Sequence, residues 1–247
     1  MNRRQYLIAG MAATVTAVAG CLGGNNSTDG YGPEPEEVPE ERSIDTDEYE
    51  TKSFGGIDVP LAPLEDVHYW YQRQEARMVD TRGRDQYDAV RITGAVLSSA
   101  PDGVSNDPVA TWPEEDRVVT YCVCPHTLAG QRAATLIADG YENVYALDEG
   151  LQAWFESGYR IEGSEATQSL TAYTVRGRSD PAYAGEFVTV RTLESDQSEM
   201  SAVESDGSYE LTLHFTDVDD DTVLEVDAPS YTREMTLAEA TSDVISA

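Results

Sequence analysis

The sequence predicts an α/β domain with a parallel sheet flanked by helices, followed by a small antiparallel β-sandwich domain. Between residues 53 and 165, short apolar runs alternate with segments whose apolar residues recur at helical spacing. This alternation is typical of βαβ units and a parallel sheet. From residue 166 to 247, apolar and polar residues alternate with a period of two between turn signals. That pattern favours antiparallel strands packed in two layers.

The individual elements follow from these patterns. In the first region we expect helices over 63–75, 83–90, 128–139 and 151–157 and strands over 77–80, 94–97, 117–122 and 143–147. In the second region the expected strands are 170–175, 186–193, 209–215, 222–226 and, more weakly, 231–237, with no long helix.

The first 21 residues are typical of an export signal. Arg3 and Arg4 precede a short apolar segment, residues 8–19, which is too short to span a bilayer because a spanning helix needs about 20 residues. The paired arginines resemble a twin-arginine signal, and the segment ending at Cys21 resembles a lipobox in which that cysteine is lipidated. A plain cleaved signal, with Cys21 incidental, is the alternative.

Residues 22–52 are rich in Gly, Asn, Ser, Pro and Glu, and this composition predicts a disordered acidic linker. Asn25 and Asn26 each begin a glycosylation sequon.

The net charge of −30, from 16 basic and 46 acidic residues, excludes a nucleic-acid-binding protein, whose contact surface is basic. Because the acidity is spread along the chain, it indicates a salt-adapted protein kept soluble by self-repulsion. An ordinary acidic secreted protein is the alternative.

The most informative motif is a run of β-formers, residues 118–121, that ends at Cys122 and is followed by a short loop and a helix. This order places a thiol at the carboxyl end of a strand, facing the positive end of the next helix. Such a position lowers a cysteine pKa from about 8.5 to between about 3.5 and about 7.5, so we expect a nucleophilic thiolate.

Seven landmarks occur in one order along residues 54–163: Asp80-Thr81-Arg82, Tyr87, Ile92-Thr93-Gly94-Ala95, Tyr121-Cys122, Gly140-Tyr141-Glu142-Asn143-Val144, Leu147-Asp148-Glu149-Gly150 and Trp154. In this order they resemble the rhodanese-like (sulfurtransferase) family. The second region faintly resembles immunoglobulin-like or carboxypeptidase-regulatory modules, which implies a spacer or adhesion role.

The rhodanese resemblance implies that Cys122 is a catalytic nucleophile. It would accept sulfur from thiosulfate or a related donor, hold it as a persulfide and pass it to a thiophilic acceptor. The residues that would bind substrate are Asp80 and Arg82, which help to hold the loop, and the loop itself, whose backbone would cradle the persulfide: Val123, Cys124, Pro125, His126, Thr127 and Leu128.

The loop departs from the family pattern in its charge. Val123 stands where the family often has a basic residue, and Thr127 and Leu128 stand where many members have an arginine. Phosphatase relatives need an arginine six residues after the cysteine, at the position of Leu128, so phosphatase activity is excluded. Thiosulfate is a dianion, so we expect weak thiosulfate binding and allow for another natural donor.

Several alternatives stay open at this point. Cys124 either attacks the persulfide to form a disulfide, donates its S–H to the loop, or only fills space. Cys122, Cys124 and His126 are three potential soft ligands without an evident fourth, so we predict no metal and no cofactor. Two alternatives to a sulfurtransferase stay open: a non-catalytic binding or scaffold module, and a Cys122/Cys124 redox or metal-binding site.

Together these patterns predict an exported sulfurtransferase that is lipid-anchored to the outer face of the cytoplasmic membrane. Its expected partners are a small sulfur-containing substrate and the membrane, with no nucleic acid.

Overall fold

The computed structural model describes residues 29–123, 126–166 and 171–247. The predicted signal peptide, Cys21 and both sequons lie outside the described residues, as do Cys124 and Pro125. Within the described ranges, no helix is long and apolar enough to cross a membrane.

The first domain alternates strands with helices, as predicted. Its elements are, in chain order, β1 (Thr51–Phe54), β2 (Ile57–Ala62), α1 (Leu64–Gln72), β3 (Arg77–Asp80), α2 (Arg84–Ala89), β4 (Arg91–Ile92), β5 (Val96–Leu97), β6 (Arg117–Tyr121), α3 (Thr127–Ala138), β7 (Asn143–Leu147), α4 (Gly150–Glu156) and β8 (Ile161–Glu162).

The main sheet is mixed, whereas the sequence predicted a parallel one. Its strand order is β1-β2-β7-β6-β3-β5, and every neighbouring pair is parallel except β1 and β2. Gly55 and Gly56 join these two strands with φ values of 60° and 85°. A two-residue turn with both φ values positive produces an antiparallel hairpin, and glycine adopts it without a Cβ penalty.

Helices cover both faces of this sheet. Successive side chains of β6 point in opposite directions and therefore enter different cores. Tyr121 and Val123 lie in a core that includes Trp154 of α4, whereas Cys122 lies in the opposite core with Leu128 and Ala133 of α3. Both faces of the sheet are covered, so β6 is buried from Val118 to Tyr121.

The second domain is rich in β-structure. Its elements are β9 (Tyr173–Arg178), β10 (Phe187–Thr192), β11 (Ser198–Ala202), β12 (Ser208–Leu213), β13 (Val223–Ala228), β14 (Tyr231–Thr236), α5 (Leu237–Ser242) and β15 (Val244–Ile245). They form one sheet in the order β11-β10-β13-β14 and another in the order β12-β9-β15. Side chains from both sheets share one hydrophobic cluster, including Val175, Val190, Leu211 and Val226. A β-rich second domain is therefore present, and the name sandwich stays a prediction.

Two details of this domain differ from the predicted antiparallel arrangement. Strand β15 pairs with β9 in parallel, and the sequence patterns did not indicate strand β11. The segment of β11, Ser-Glu-Met-Ser-Ala, contains no β-branched or aromatic residue, so it lacks the local signal of a strand. Its pairing with β10 decides its conformation.

The predicted disordered linker differs from the structure over residues 29–52, which lie against the first domain. The carbonyl groups of Gly30 and Pro39 accept hydrogen bonds from the Met78 amide and the Arg73 guanidinium, at 2.8 and 2.7 Å. Tyr49 packs against Trp70 and Tyr145. Arginine donors and one aromatic anchor thus hold a segment whose composition is typical of a linker.

The two domains meet where β11 lies beside α2. The Gln86 amide donates to Glu199 at 3.2 Å, and the Asp196 amide donates to the Asp85 carboxylate at 2.8 Å. Met200 and Phe187 of the second domain pack against the core cluster that contains Cys122. The second domain therefore lies against the part of the first domain that carries the predicted nucleophile.

Gly83 provides a test of this contact. Its φ of −69° is open to any residue, but a Cβ would overlap the carbonyl oxygen of Asp196. We expect Gly83→Ala to lower the free energy of unfolding by about 1–3 kcal/mol because the backbones must separate, as measured by urea denaturation. Asp88→Ala, exposed on the same helix, should change it by less than about 0.5 kcal/mol. Equal stability of the two variants would contradict the contact.

Candidate functional site

Cys122 directly follows β6, at the edge where the parallel strands end. Its side chain is 3% exposed and lies beneath the N-terminal part of α3. The backbone N–H of Ala129 forms a hydrogen bond with the sulfur. The predicted placement of the thiol against the start of a helix is therefore observed, although the N–H that reaches it lies one residue beyond the predicted cradle.

Helix α4 holds the backbone on which Cys122 lies. Its first N–H groups, from Leu151 and Gln152, donate to the carbonyls of Cys122 and Val123 at 2.8 and 3.4 Å. Gly150 has a φ of 72°, and a Cβ there would press on the Val123 carbonyl. The position therefore requires glycine, which explains why Gly150 is one of the landmarks in the sequence.

The predicted loop residues fall into four groups. Val123 and Leu128 are buried in cores on opposite faces of the sheet, so their side chains pack and do not face a ligand. Thr127 is the first residue of α3. His126 has a φ of 88°, and its Nε2 lies 2.6 Å from the Asp148 carboxylate, which connects the loop to the end of β7. Cys124 and Pro125 belong to the part of the chain that is not described.

Asp80 and Arg82 form a buried ion pair at the end of β3. The Arg82 Nε and Nη2 atoms donate to the two Asp80 carboxylate oxygens at 2.9 and 2.6 Å, and Nη2 also donates to the Val90 carbonyl at 2.6 Å. Burial alone would lower the pKa of Arg82, but the Asp80 carboxylate outweighs it and the pKa is raised. The geometry fits the predicted holding role better than direct contact with a substrate.

The expected acidic thiol is not observed. Burial raises the pKa of Cys122 to about 12, and the Glu199 carboxylate adds to the rise, whereas the Ala129 N–H and the Arg82 charge oppose it. The expectation considered only the helix and the loop amides. It overlooked the loss of water on burial and the negative charge of Glu199, which belongs to the second domain.

Glu199, in strand β11, is the residue of the site that the sequence patterns did not reveal. It is 3% exposed. Burial raises its pKa to about 7, and Arg82 and the Gln86 hydrogen bond limit the rise. No local motif marks Glu199; only a buried strand assignment for 198–202 could have drawn attention to a carboxylate there.

His214 and Arg132 are two further buried polar residues. Burial and the charge of Arg82 lower the pKa of His214 to about 4, so it is neutral at pH 7. Arg132 of α3 donates from Nε to the Ser98 hydroxyl at 2.8 Å and lies 3.3 Å from the Asp107 carboxylate. The Arg132 guanidinium is therefore engaged by partners inside the fold.

Comparison with known proteins agrees with this geometry. Residues 64–157 match the family described as Rhodanese-like domain. Residues 64–157 therefore correspond to a rhodanese-like domain.

Several solved structures are similar to the chain. A protein from Bacillus halodurans is 21% identical, with a TM-score of 0.40, over 45% of this chain and 82% of its own. The rhodanese-like domain of an Anabaena sp. protein is 21% identical, with a TM-score of 0.40, over 45% and 85%. Thiosulfate sulfurtransferase from Pseudomonas aeruginosa is 24% identical, with a TM-score of 0.37, over 45% of this chain and 21% of the enzyme.

The Asp80–Arg82 pair leads to a stability prediction. We expect Asp80→Asn to lower the free energy of unfolding by about 3–5 kcal/mol, because it leaves the buried Arg82 charge without its partner. Glu210→Gln removes one charge from the exposed Arg176–Glu210 pair and should cost less than about 1 kcal/mol. Urea denaturation of both variants tests the difference, and similar losses would contradict the assigned burial.

The pKa of Cys122 leads to a second prediction. With a pKa of about 12, the thiolate fraction of the folded protein increases about tenfold for each pH unit from 7 to 10. Alkylation of Cys122 by iodoacetamide, followed by peptide mass mapping, should increase in parallel. In urea the same thiol should level off above about pH 9, since an unperturbed cysteine has a pKa of about 8.5. A plateau below pH 8 in the folded protein would disprove the raised pKa.

Proposed function

We propose that the protein is a sulfurtransferase that carries sulfur as a persulfide on Cys122, from thiosulfate or a related donor to a thiophilic acceptor. The Cys122 thiolate attacks the outer sulfur of the donor and forms an S–S bond. The bond between that sulfur and the rest of the donor breaks, and sulfite leaves with the electron pair when the donor is thiosulfate. A nucleophilic acceptor then attacks the outer sulfur of the persulfide and releases the thiolate.

The position of Cys122 is the observation that carries the proposal. The sulfur lies at the end of β6, where it accepts a hydrogen bond from the Ala129 N–H at the start of α3. This N–H and the positive end of the helix favour an anionic sulfur, which both the thiolate and the persulfide are. The hydrogen bonds from α4 to the Cys122 and Val123 carbonyls keep the backbone in place during transfer.

The raised pKa of Cys122 makes the rate of the proposed reaction depend on pH. Only a small fraction of the buried thiol is ionised at neutral pH. Sulfur uptake therefore becomes faster as the pH rises.

A second candidate function is a non-catalytic rhodanese-fold module for binding or scaffolding at the cell surface. The burial of Cys122 and its raised pKa favour this candidate, because a nucleophile must be accessible and ionised. A Cys122/Cys124 redox or metal-binding site has less support and stays an alternative from the sequence.

The proposal includes a location outside the cell. The arginine pair, the short apolar segment and Cys21 support export and lipid anchoring to the outer face of the cytoplasmic membrane. The charge of −30 supports work in a salt-rich medium.

Mass spectrometry of the full chain in concentrated KCl tests the proposal. After treatment with thiosulfate or polysulfide, the native protein and Cys124→Ser should each gain one sulfur on the Cys122 peptide, and Cys122→Ser should gain none. Uptake should become faster from pH 7 to 9. A folded native protein that gains no sulfur from either donor would favour the binding module instead.

A further inference from the structure

We infer that Glu199 selects the sulfur donor by charge, disfavouring dianionic thiosulfate and favouring donors that carry one negative charge fewer. The inference rests on the proposed function, because it concerns the donor that Cys122 accepts. It assigns to the second domain a part in the site of the first.

The geometry places the Glu199 carboxylate inside the contact between the domains. Strand β11 lies beside α2, where the Gln86 amide donates to Glu199 at 3.2 Å. The Gln86 carbonyl oxygen in turn accepts from the Ser198 amide at 3.4 Å. Met200, the next residue of β11, packs against the core cluster that contains Cys122. Contacts of Glu199 and of its neighbours Ser198 and Met200 therefore fix the position of Glu199. Its negative charge contributes to the raised pKa of Cys122.

The charges around Glu199 leave the site negative. Asp80 and Arg82, from the end of β3, compensate each other in a bidentate pair. Gln86 of α2 is neutral, and His214 near Arg82 is neutral at pH 7.

The remaining groups near Cys122 add negative charge. Cys122 itself becomes negative when it reacts. The exposed Asp85 and Asp196 at the edge of the contact are also acidic. The Glu199 carboxylate is thus the uncompensated buried charge among the described residues that face Cys122.

The loop does not offset this charge. From Cys122 to Leu128 the sequence contains no lysine and no arginine. The nearest arginine along α3, Arg132, is engaged with Ser98 and Asp107. Above pH 7 an anionic donor therefore meets the negative charge of Glu199 without a loop lysine or arginine to balance it.

Two donors differ mainly in charge and permit a clean comparison. Thiosulfate, a dianion, gives its outer sulfur to the thiolate and releases sulfite. Methanethiosulfonate, a monoanion, gives the same sulfur and releases methanesulfinate. In both reactions one S–S bond forms at Cys122 and the bond between the transferred sulfur and the oxidised sulfur breaks. The transition state carries three negative charges with the first donor and two with the second, so Glu199 opposes the first more strongly.

The experiment measures the rate constant of Cys122 persulfide formation with each donor, in the full chain carrying Cys124→Ser, at matched ionic strength. The measured quantity is the ratio of the thiosulfate rate to the methanethiosulfonate rate. The ratio cancels any common change in the thiolate fraction of Cys122. We expect Glu199→Gln to raise it about tenfold at pH 8. Glu199→Asp, which keeps the charge, should leave it low.

The native protein provides an independent measurement. The pKa of Glu199 is about 7, so the carboxylate is charged above this pH and neutral below it. The ratio should therefore increase as the pH falls from 8 to 6 in the native protein and stay flat in Glu199→Gln. Glu225→Gln, which removes a carboxylate paired with Arg191 elsewhere in the second domain, should behave like the native protein.

The outcomes separate the two proposals. A ratio that is the same in the native protein and Glu199→Gln, and flat with pH in both, would overturn the charge selection while the sulfurtransferase stands. Failure of both donors to load sulfur on Cys122 would overturn the proposed function and the selection with it.

Discussion

The buried pair of Asp80 and Arg82 is the interaction on which the rest of the site depends. It closes the end of β3, and Arg82 also binds the Val90 carbonyl. The charge of Arg82 lowers the pKa of Cys122, of Glu199 and of His214. One guanidinium therefore connects Cys122, the proposed nucleophile, with two buried groups of the second domain. Because all of these groups lie away from water, each feels the others strongly.

The second domain changes the chemistry expected of the first. A cysteine at the end of a strand, facing the start of a helix, is in a position that lowers its pKa. Here burial removes water from the thiol and the Glu199 carboxylate of β11 adds a negative charge, and both effects raise the pKa of Cys122 instead. A spacer role for the second domain, which a faint resemblance implied, does not account for a buried carboxylate in this position. The domain contact therefore contributes a charge to the candidate site.

Most of the first domain could be predicted from local patterns. The helix over 128–139 and the strand over 143–147 were confirmed almost to the residue, because their apolar spacing is strong. The hairpin of β1 and β2 was missed because its signal in the sequence is the Gly55–Gly56 turn and not the periodicity of apolar residues. The ordered path of residues 29–52 was missed because partners far along the chain, such as Arg73, hold it.

The sequence by itself determined that a thiol, Cys122, ends a buried strand before a helix, and that its loop carries no lysine and no arginine. Both properties are local, since they depend on residues that are neighbours in the chain. Only the tertiary structure decided which distant groups surround that thiol. The charge of Glu199 acts on it through the packing of the second domain, and a polar strand segment contains no signal of where its carboxylate will be buried. Burial and charge together set the state of the sulfur, and both are properties of the folded chain.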